Sequence, residues 1–311
     1  MQKSAYPFYA FYTAAFPLSG LEVLAARGIP TRLVPPIYPS HSRVYEQDPR
    51  FQETWTKLGV FGLWGEEGEF ERIVLLDGDM LVRRGIDELM EIELDDPGTE
   101  DATRVFAACH ACACNPLKKP HYPKSWYTPL PPLPTLEYNL IDPRLIKRKR
   151  TPQNCAYTTQ HLTPDLAQTT PPAPTTGVSM LNSGLLVVRP ARDTWALIES
   201  ALHEPARLAR YDFPDQELLS DVFRGRWVAL PYVFNALKTL RWPAVHGAIW
   251  RDHEVRLVHY IFARKPWHQS VPGPGPHPGP SPSPGYIDET HRWWWEANKH
   301  RQVVEHNTGI E

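Results

Sequence analysis

The apolar residues of this chain fall into short continuous runs separated by segments with helical spacing. Strands are predicted at 8–12, 32–34, 72–76, 180–188 and 255–261, and helices at 19–27, 53–64, 194–203 and 215–223. Runs without polar alternation are typical of strands buried on both faces, as in a parallel sheet under helices. The alternation of strands with helices along the chain therefore predicts an α/β fold with a mostly parallel, Rossmann-like central sheet flanked by helices.

Proline and glycine divide the chain further. Of its 34 prolines, 13 fall within 116–174, which excludes long helices and central strands there and predicts a long irregular Pro-rich insertion at 109–176. A Pro/Gly/Ser stretch predicts a linker at 269–285. The remainder should form one domain at 1–268 and a C-terminal helical tail at 286–311, folded back because three adjacent tryptophans would be a liability if exposed.

Charge and composition narrow the partners. The net charge of −2 combines interspersed acids and bases, which argues against a protein that binds nucleic acid through bulk charge. No apolar run reaches the roughly 18 residues that span a bilayer, so no transmembrane segment is expected. The N-terminus lacks the pattern of a signal peptide, and four cysteines in 311 residues do not form a disulfide framework. A cytoplasmic location is predicted, although a preceding segment could carry a targeting signal.

Two carboxylates follow the third predicted strand. Asp77 and Asp79 flank Gly78 directly after the apolar run 73–76. In open parallel sheets ligands collect beyond the carboxyl ends of strands, and glycine lets the chain turn close to a ligand. A carboxylate pair suits a hard divalent cation that also holds phosphate oxygens. The alternative is an ordinary polar turn after a strand.

A histidine and a lysine follow the last predicted strand. His259 ends an apolar run, and Lys265, Pro266 and Trp267 come six to eight residues later. Imidazole beside two carboxylates favours Mn²⁺ over Mg²⁺, which stays the second choice. Lys265 is a point charge suited to a diphosphate. The alternative is a half-buried structural histidine beside a surface lysine.

Two short polar motifs have side chains suited to binding a sugar. Asn182, Ser183 and Gly184 open the strand at 180–188, and Asp215 and Gln216 open the helix at 215–223. Amide, hydroxyl and carboxylate groups can form hydrogen bonds with the hydroxyl groups of a sugar. A strand-entry turn and an N-cap at Asp215 are the alternatives without function.

These motifs, in this order, resemble glycosyltransferase family 8, the glycogenin and galactinol synthase type. The resemblance covers roughly residues 5–110 and 177–268. It is carried by Thr56-Lys57-Leu58, Leu76-Asp77-Gly78-Asp79, Asn182-Ser183-Gly184, Asp215-Gln216, Leu230-Pro231 with Asn235, and His259 through Lys265-Pro266-Trp267.

The resemblance implies a GT-A fold, a UDP-sugar donor and retention of anomeric configuration. It implies Mn²⁺ held by Asp77, Asp79 and His259, and a diphosphate held by Lys265. The other implied site residues are Lys57, Gly78, Ser183 and Gly184 on the donor side, and the catalytic candidates Asn182, Asp215 and Gln216. The acceptor would be a carbohydrate, a polyol or a protein tyrosine, and a homodimer is compatible with the family.

Two features depart from the family. The first readable strand, 8–12, looks like the family's second, so the N-terminal βα unit that grips the base is expected to be absent from this chain. The family's glycine three residues after the histidine is Phe262 here, which is expected to obstruct backbone contact with a diphosphate. A catalytically inactive scaffold that binds partners through its Pro-rich segments therefore remains an alternative, and a metal-dependent phosphohydrolase is a third.

The cysteines admit two interpretations. Cys109, Cys112 and Cys114 form an irregular triplet, with His121 and Cys155 further along the chain. A structural zinc ion is one hypothesis, and reduced free thiols are the other.

Overall fold

The computed structural model describes residues 4–39, 42–64, 70–124, 126, 154–269 and 288–310. Most of the predicted linker and the insertion residues 127–153 lie outside these ranges. Within them the strands are β1 (Ala10–Tyr12), β2 (Thr31–Leu33), β3 (Ile73–Leu76), β4 (Met80–Val82), β5 (Phe106–His110), β6 (Leu181–Val188), β7 (Val228–Leu230), β8 (Ala236–Leu237) and β9 (Leu257–His259). The α-helices are α1 (Leu18–Ala26), α2 (Arg192–Leu202), α3 (Pro205–Leu208), α4 (Pro214–Val222) and α5 (Glu289–Thr308).

The main sheet has the order β3-β6-β5-β7 and corrects one prediction. Strand β6 lies between β3 and β5 and is antiparallel to both, whereas β5 and β7 are parallel. The α/β class is confirmed, but the central sheet is mixed rather than mostly parallel. A continuous apolar run indicates that a strand is buried on both faces. A central antiparallel strand has the same pattern as a parallel one, so the run does not indicate the strand's direction.

A bulge in this sheet separates β6 from β5 near the polar residues of β6. Ala108 pairs with Leu186, but the next residue, Cys109, pairs with Asn182. Residues 183–185 of β6 therefore have no partner in β5. Bulges re-aim side chains beside functional sites, and this one lies at Ser183 and Gly184.

A smaller sheet of order β4-β9-β8 begins where the main sheet ends. Residues 77–79 connect β3 to β4, and Met80 of β4 pairs with His259 of β9. The connection therefore brings the ends of β3 and β9 together. β1 and β2 form a separate parallel pair.

Helices cover the sheet and the tail packs on the body. The segment predicted as a helix at 53–64 is a 3₁₀ helix, Thr54–Gly62, whose Trp55, Leu58 and Phe61 are fully buried. Helix α5 is capped by the Asp288 side chain, which accepts from Thr290 N–H at 2.9 Å. Its Trp293 is buried beside Trp250, with ring centroids 6.5 Å apart. No helix in the described part of the chain is long and apolar enough to cross a membrane.

Candidate functional site

Asp77 and Asp79 are held at the junction of the two sheets. The backbone N–H of Asp77 donates to the Gly184 carbonyl at 2.8 Å, and the Asp79 carbonyl accepts from Tyr260 N–H at 2.9 Å. The two side chains are 24% and 23% exposed, so each carboxylate faces the cleft while its backbone is fixed. The main-chain bonds thus aim both carboxylates at one point.

His259 completes this cluster. Its Nε2 lies 3.1 Å from Asp79 Oδ1 and 3.7 Å from Asp77 Oδ2, and its side chain is 5% exposed. Its Nδ1 lies 2.9 Å from Oδ1 of Asn235, whose Nδ2 donates to Asn182 Oδ1 at 2.8 Å. With the Asn235 amide so oriented, Nδ1 of His259 is the donor and Nε2 carries the lone pair in the neutral ring.

This geometry fits a divalent cation. In a neutral imidazole, a lone pair aimed at two carboxylates is repulsive unless positive charge lies between them. The potential ligand atoms of Asp77, Asp79 and His259 all lie within 4.8 Å of one another. One nitrogen and two carboxylate oxygens are a donor set that manganese accepts, and the outer hydrogen bond to Asn235 is typical of metal-ligating histidines.

Lys265 lies on the other side of Asp79. Its Nζ donates to Asp79 Oδ2 and, at 2.6 Å, to the Tyr260 carbonyl. Burial raises the pKa of Asp79, but in the metal-free chain hydrogen bonds and charges from a protonated His259 and from Lys265 outweigh it and hold that pKa well below its usual range. The carboxylate therefore stays ionised, and Lys265 presents its charge beside the predicted metal ligands.

Lys57 joins three predicted site residues. Its Nζ lies 3.0 Å from Asp215 Oδ2, 3.2 Å from Asp77 Oδ1 and 3.1 Å from Ser183 Oγ. Burial lowers the pKa of Lys57, but the two carboxylates outweigh it and raise the pKa above its usual value. Lys57 is thus a permanent cation that links the end of β3 to helix α4.

Asp215 and Gln216 lie in the first turn of α4. The N-cap is Phe213, so the interpretation of Asp215 as an N-cap is wrong. Asp215 is 3% exposed and pairs with Lys57, and Gln216 accepts from Asn182 Nδ2 at 3.2 Å. The polar residues of β6 and α4 therefore form one hydrogen-bonded wall.

The two site glycines differ. A Cβ on Gly184 would lie 2.7 Å from Nδ1 of His259, so only glycine lets β6 approach that ring. A Cβ on Gly78 would meet no protein atom within 4 Å, and Gly78 is not in the left-handed region. Gly78 therefore leaves open space in the cleft, but its backbone does not require glycine.

Gly184→Ala should weaken Mn²⁺ binding about 10- to 100-fold, because the methyl group must displace His259 from Asn235. Calorimetric titration of Mn²⁺ measures this. Gly59→Ala is the matched control, since its Cβ would make only an ordinary contact of 3.7 Å with Ile37. Equal Mn²⁺ affinity of the Gly184 variant and the native chain would contradict the assignment of His259.

The cleft in front of this site holds an aromatic group that the sequence did not indicate. It encloses about 1020 Å³ including solvent at its mouth. Trp126 stacks on Phe213 with centroids 4.9 Å apart, and Tyr122 packs edge-on against the same ring at 4.9 Å. Asn235 likewise belongs to a sequence motif that indicates no role for it. Contacts between residues so far apart in sequence leave no local pattern.

Phe262 occupies the wall of the cleft in a strained conformation. Its φ of +72° lies in the left-handed region, which bulky residues rarely adopt. The backbone at this position thus retains the conformation that favours glycine, although the side chain is a phenyl ring.

Phe262→Gly should be more stable to unfolding than Phe262→Ala by about 1 kcal/mol, because alanine keeps the Cβ that disfavours positive φ. Both variants lose the ring, so the comparison isolates the backbone. Urea denaturation measures the difference. An alanine variant as stable as the glycine variant would show that this conformation is not strained.

Comparison with known proteins identifies the family. The model of glycosyl transferase family 8 matches residues 36–270, and the chain belongs to this family. Galactinol synthase 1 of Ajuga reptans is 24% identical over 269 residues, covering 86% of this chain and 66% of the relative. Galactinol synthase 2 of Solanum lycopersicum is also 24% identical, covering 86% of this chain and 65% of the relative.

Among solved structures, the apo form of the glycosyltransferase GlyE of Streptococcus pneumoniae is 14% identical, with a TM-score of 0.42. The match covers 93% of this chain and 59% of that one. This chain spans about two thirds of the length of the galactinol synthases it matches.

Proposed function

We propose that this chain transfers a hexose from a UDP-sugar to an acceptor hydroxyl, with Mn²⁺ and with retention of anomeric configuration. The observation that carries the proposal is the convergence of Asp77, Asp79 and Nε2 of His259 beside Lys265 at one end of the cleft. Family membership supports sugar transfer as the reaction class.

Charge on the leaving group decides the chemistry. Departure of the sugar leaves negative charge on the UDP diphosphate, and groups placed to meet that charge lower the barrier. A bound Mn²⁺ would neutralise part of this charge. Lys265 supplies a further positive charge, and its bonds to Asp79 and the Tyr260 carbonyl position its amine before the donor binds.

The polar wall suits the sugar. The side chains of Asn182 and Gln216 are hydrogen-bonded to each other, and they line the cleft together with Ser183 and Asp215. We assign them to the sugar hydroxyls. The Asp215 carboxylate lies 3.0 Å from Lys57 Nζ, which orients it, and it is the candidate for a transient covalent adduct with the sugar. In the second route, the acceptor hydroxyl attacks directly from the face that the leaving group occupies.

The acceptor class follows from the cleft. The face formed by Tyr122, Trp126 and Phe213 can stack on the apolar side of a sugar or cyclic polyol, or on a tyrosine ring. A carbohydrate, polyol or protein-tyrosine acceptor fits this face, and the galactinol synthase relatives favour testing polyols first.

The test is a transfer assay with UDP-glucose and UDP-galactose against a panel of polyols and sugars, with Mn²⁺ or Mg²⁺. We expect a product whose anomeric configuration, measured by proton NMR, equals that of the donor. Inversion would contradict the retaining chemistry. Tight UDP binding without transfer to any acceptor, or to the chain's own tyrosines, would favour the inactive scaffold.

A further inference from the structure

Beside the cleft, whose lining includes Cys112, the fold brings together three cysteines and a histidine that the proposed reaction does not use. Cys112, Cys114, Cys155 and His246 offer ligand atoms that all lie within 4.8 Å of one another. Cys114, Cys155 and His246 are fully buried, and Cys112 is half-buried. This set differs from the sequence hypothesis, since it contains His246 rather than His121 and excludes Cys109.

The arrangement around His246 is that of a metal ligand. Its Nε2 lies 3.1 Å from Cys114 Sγ and 3.2 Å from Cys155 Sγ. Its Nδ1 lies 2.9 Å from Nε2 of His161. If Nδ1 of His246 donates to His161, the lone pair on Nε2 points into the group of sulfurs, and such an outer hydrogen bond typically orients ligating histidines.

We infer that Cys112, Cys114, Cys155 and His246 form a structural zinc site. Three thiolates and one imidazole are an established four-ligand set for structural zinc. With zinc bonds of about 2.3 Å to sulfur and about 2.0 Å to nitrogen, tetrahedral ligand atoms stand about 3.5–3.8 Å apart. The nitrogen–sulfur distances of 3.1 and 3.2 Å lie just below this range, and no two of the four ligand atoms are more than 4.8 Å apart. Side-chain movements of about 1 Å or less would therefore bring the group to this geometry.

The surroundings favour a bound ion over four free groups. Three sulfurs and one imidazole nitrogen crowd into one small buried space, and zinc would replace the thiol protons and bind all four groups at once. The cysteines are all free of disulfide bonds.

The site would fasten the base of the Pro-rich insertion. Cys112 and Cys114 directly follow β5, Cys155 directly precedes the 3₁₀ helix Ala156–Leu162, and His246 lies in the turn between β8 and β9. Cys114 and Cys155 are 41 positions apart in the sequence, and closing so long a loop is where a cross-link restricts the unfolded chain strongly. The aromatic face at Tyr122 and Trp126 lies within that loop.

The experiment measures bound metal in the full chain purified without chelator from zinc-containing medium. We expect one zinc ion per chain in the native protein, retained in Asp77→Asn, which removes a ligand of the other cluster. Cys155→Ser and His246→Ala should lose it. Cys109→Ser is the matched control and should retain it, because the Cys109 thiol donates to the Pro231 carbonyl at 3.3 Å and lies outside the cluster.

Substitution of Co²⁺ for zinc tests thiolate coordination independently. Co²⁺ bound in place of zinc should give a thiolate charge-transfer band that Cys109→Ser keeps. If the ligand variants are insoluble, titration of the native chain with a mercurial settles the matter, since it should release one zinc ion to a chromogenic chelator. A native chain without zinc, one that holds iron or copper instead, a disulfide within the cluster, or zinc lost only in Asp77→Asn would overturn the proposal.

Discussion

Asp79→Asn will abolish the response to Mn²⁺ and lower sugar transfer by about 10³-fold or more. The substitution removes one of two carboxylates at the predicted metal position, which is also the neighbour of His259 Nε2 and the ionic partner of Lys265. Loss of a single preorganised charge-stabilising group typically costs about 10²- to 10³-fold in rate. Here the cation and the orientation of Lys265 are lost together, so the effect should reach or exceed the upper value.

The measurement is initial transfer rate over a range of Mn²⁺ concentrations, with thermal unfolding with and without Mn²⁺ alongside. Asp96→Asn is the control, because Asp96 is a largely exposed carboxylate that pairs with Arg189 at the surface. A variant of Asp79 that Mn²⁺ still stabilises as strongly as the native chain would place the cation elsewhere.

Lys57→Met will be the most destabilising single change in the cleft, costing about 3–5 kcal/mol of unfolding free energy. Lys57 is 21% exposed and neutralises Asp215, whose side chain is 4% exposed. Removing the cation leaves a buried carboxylate without its ionic partner. Asp77, at 24% exposure, loses a partner as well but can be hydrated.

A double variant separates charge from packing. Lys57→Met combined with Asp215→Asn should recover much of the lost stability, because the buried negative charge disappears with its partner. Arg84→Met is the control, since its pair with Glu254 is exposed on both sides and should contribute at most about 1 kcal/mol. Urea denaturation in the presence of a chelator measures the free energy of unfolding of the native chain, the Lys57→Met variant, the double variant and the Arg84→Met control. A loss below 1 kcal/mol for Lys57→Met would contradict a buried ion pair.

The sequence allowed prediction of those residues of the candidate site that lie at the ends of strands. Asp77 and Asp79 follow β3, and His259 ends β9, so apolar runs that stop at polar residues indicated which side chains should meet. The mixed direction of the main sheet was not predictable, because burial on both faces gives β6 the same apolar pattern in either direction.

Long-range partners account for what the sequence did not indicate. Asn235 orients His259 across 24 positions, and His246 meets Cys155 across 91. His121 was the hypothesis for the cysteine cluster because it is near in sequence, but its ring packs against Tyr122 instead. Only the fold of β8, β9 and the turn between them brings His246 to the cysteines.

Phe262 illustrates a different limit. The departure from glycine was visible in the sequence and predicted an obstruction near the diphosphate. The structure adds that the residue keeps a positive φ. A phenyl ring thus stands on a backbone suited to glycine, and it lines the same cleft as Lys265, which is three residues further on.

The most direct test of the central claim is calorimetric titration of the purified chain with UDP in the presence of Mn²⁺. The site of Asp77, Asp79, His259 and Lys265 predicts micromolar binding that disappears when Mn²⁺ is replaced by chelator. Absence of UDP binding with Mn²⁺ present would contradict a donor site in this chain.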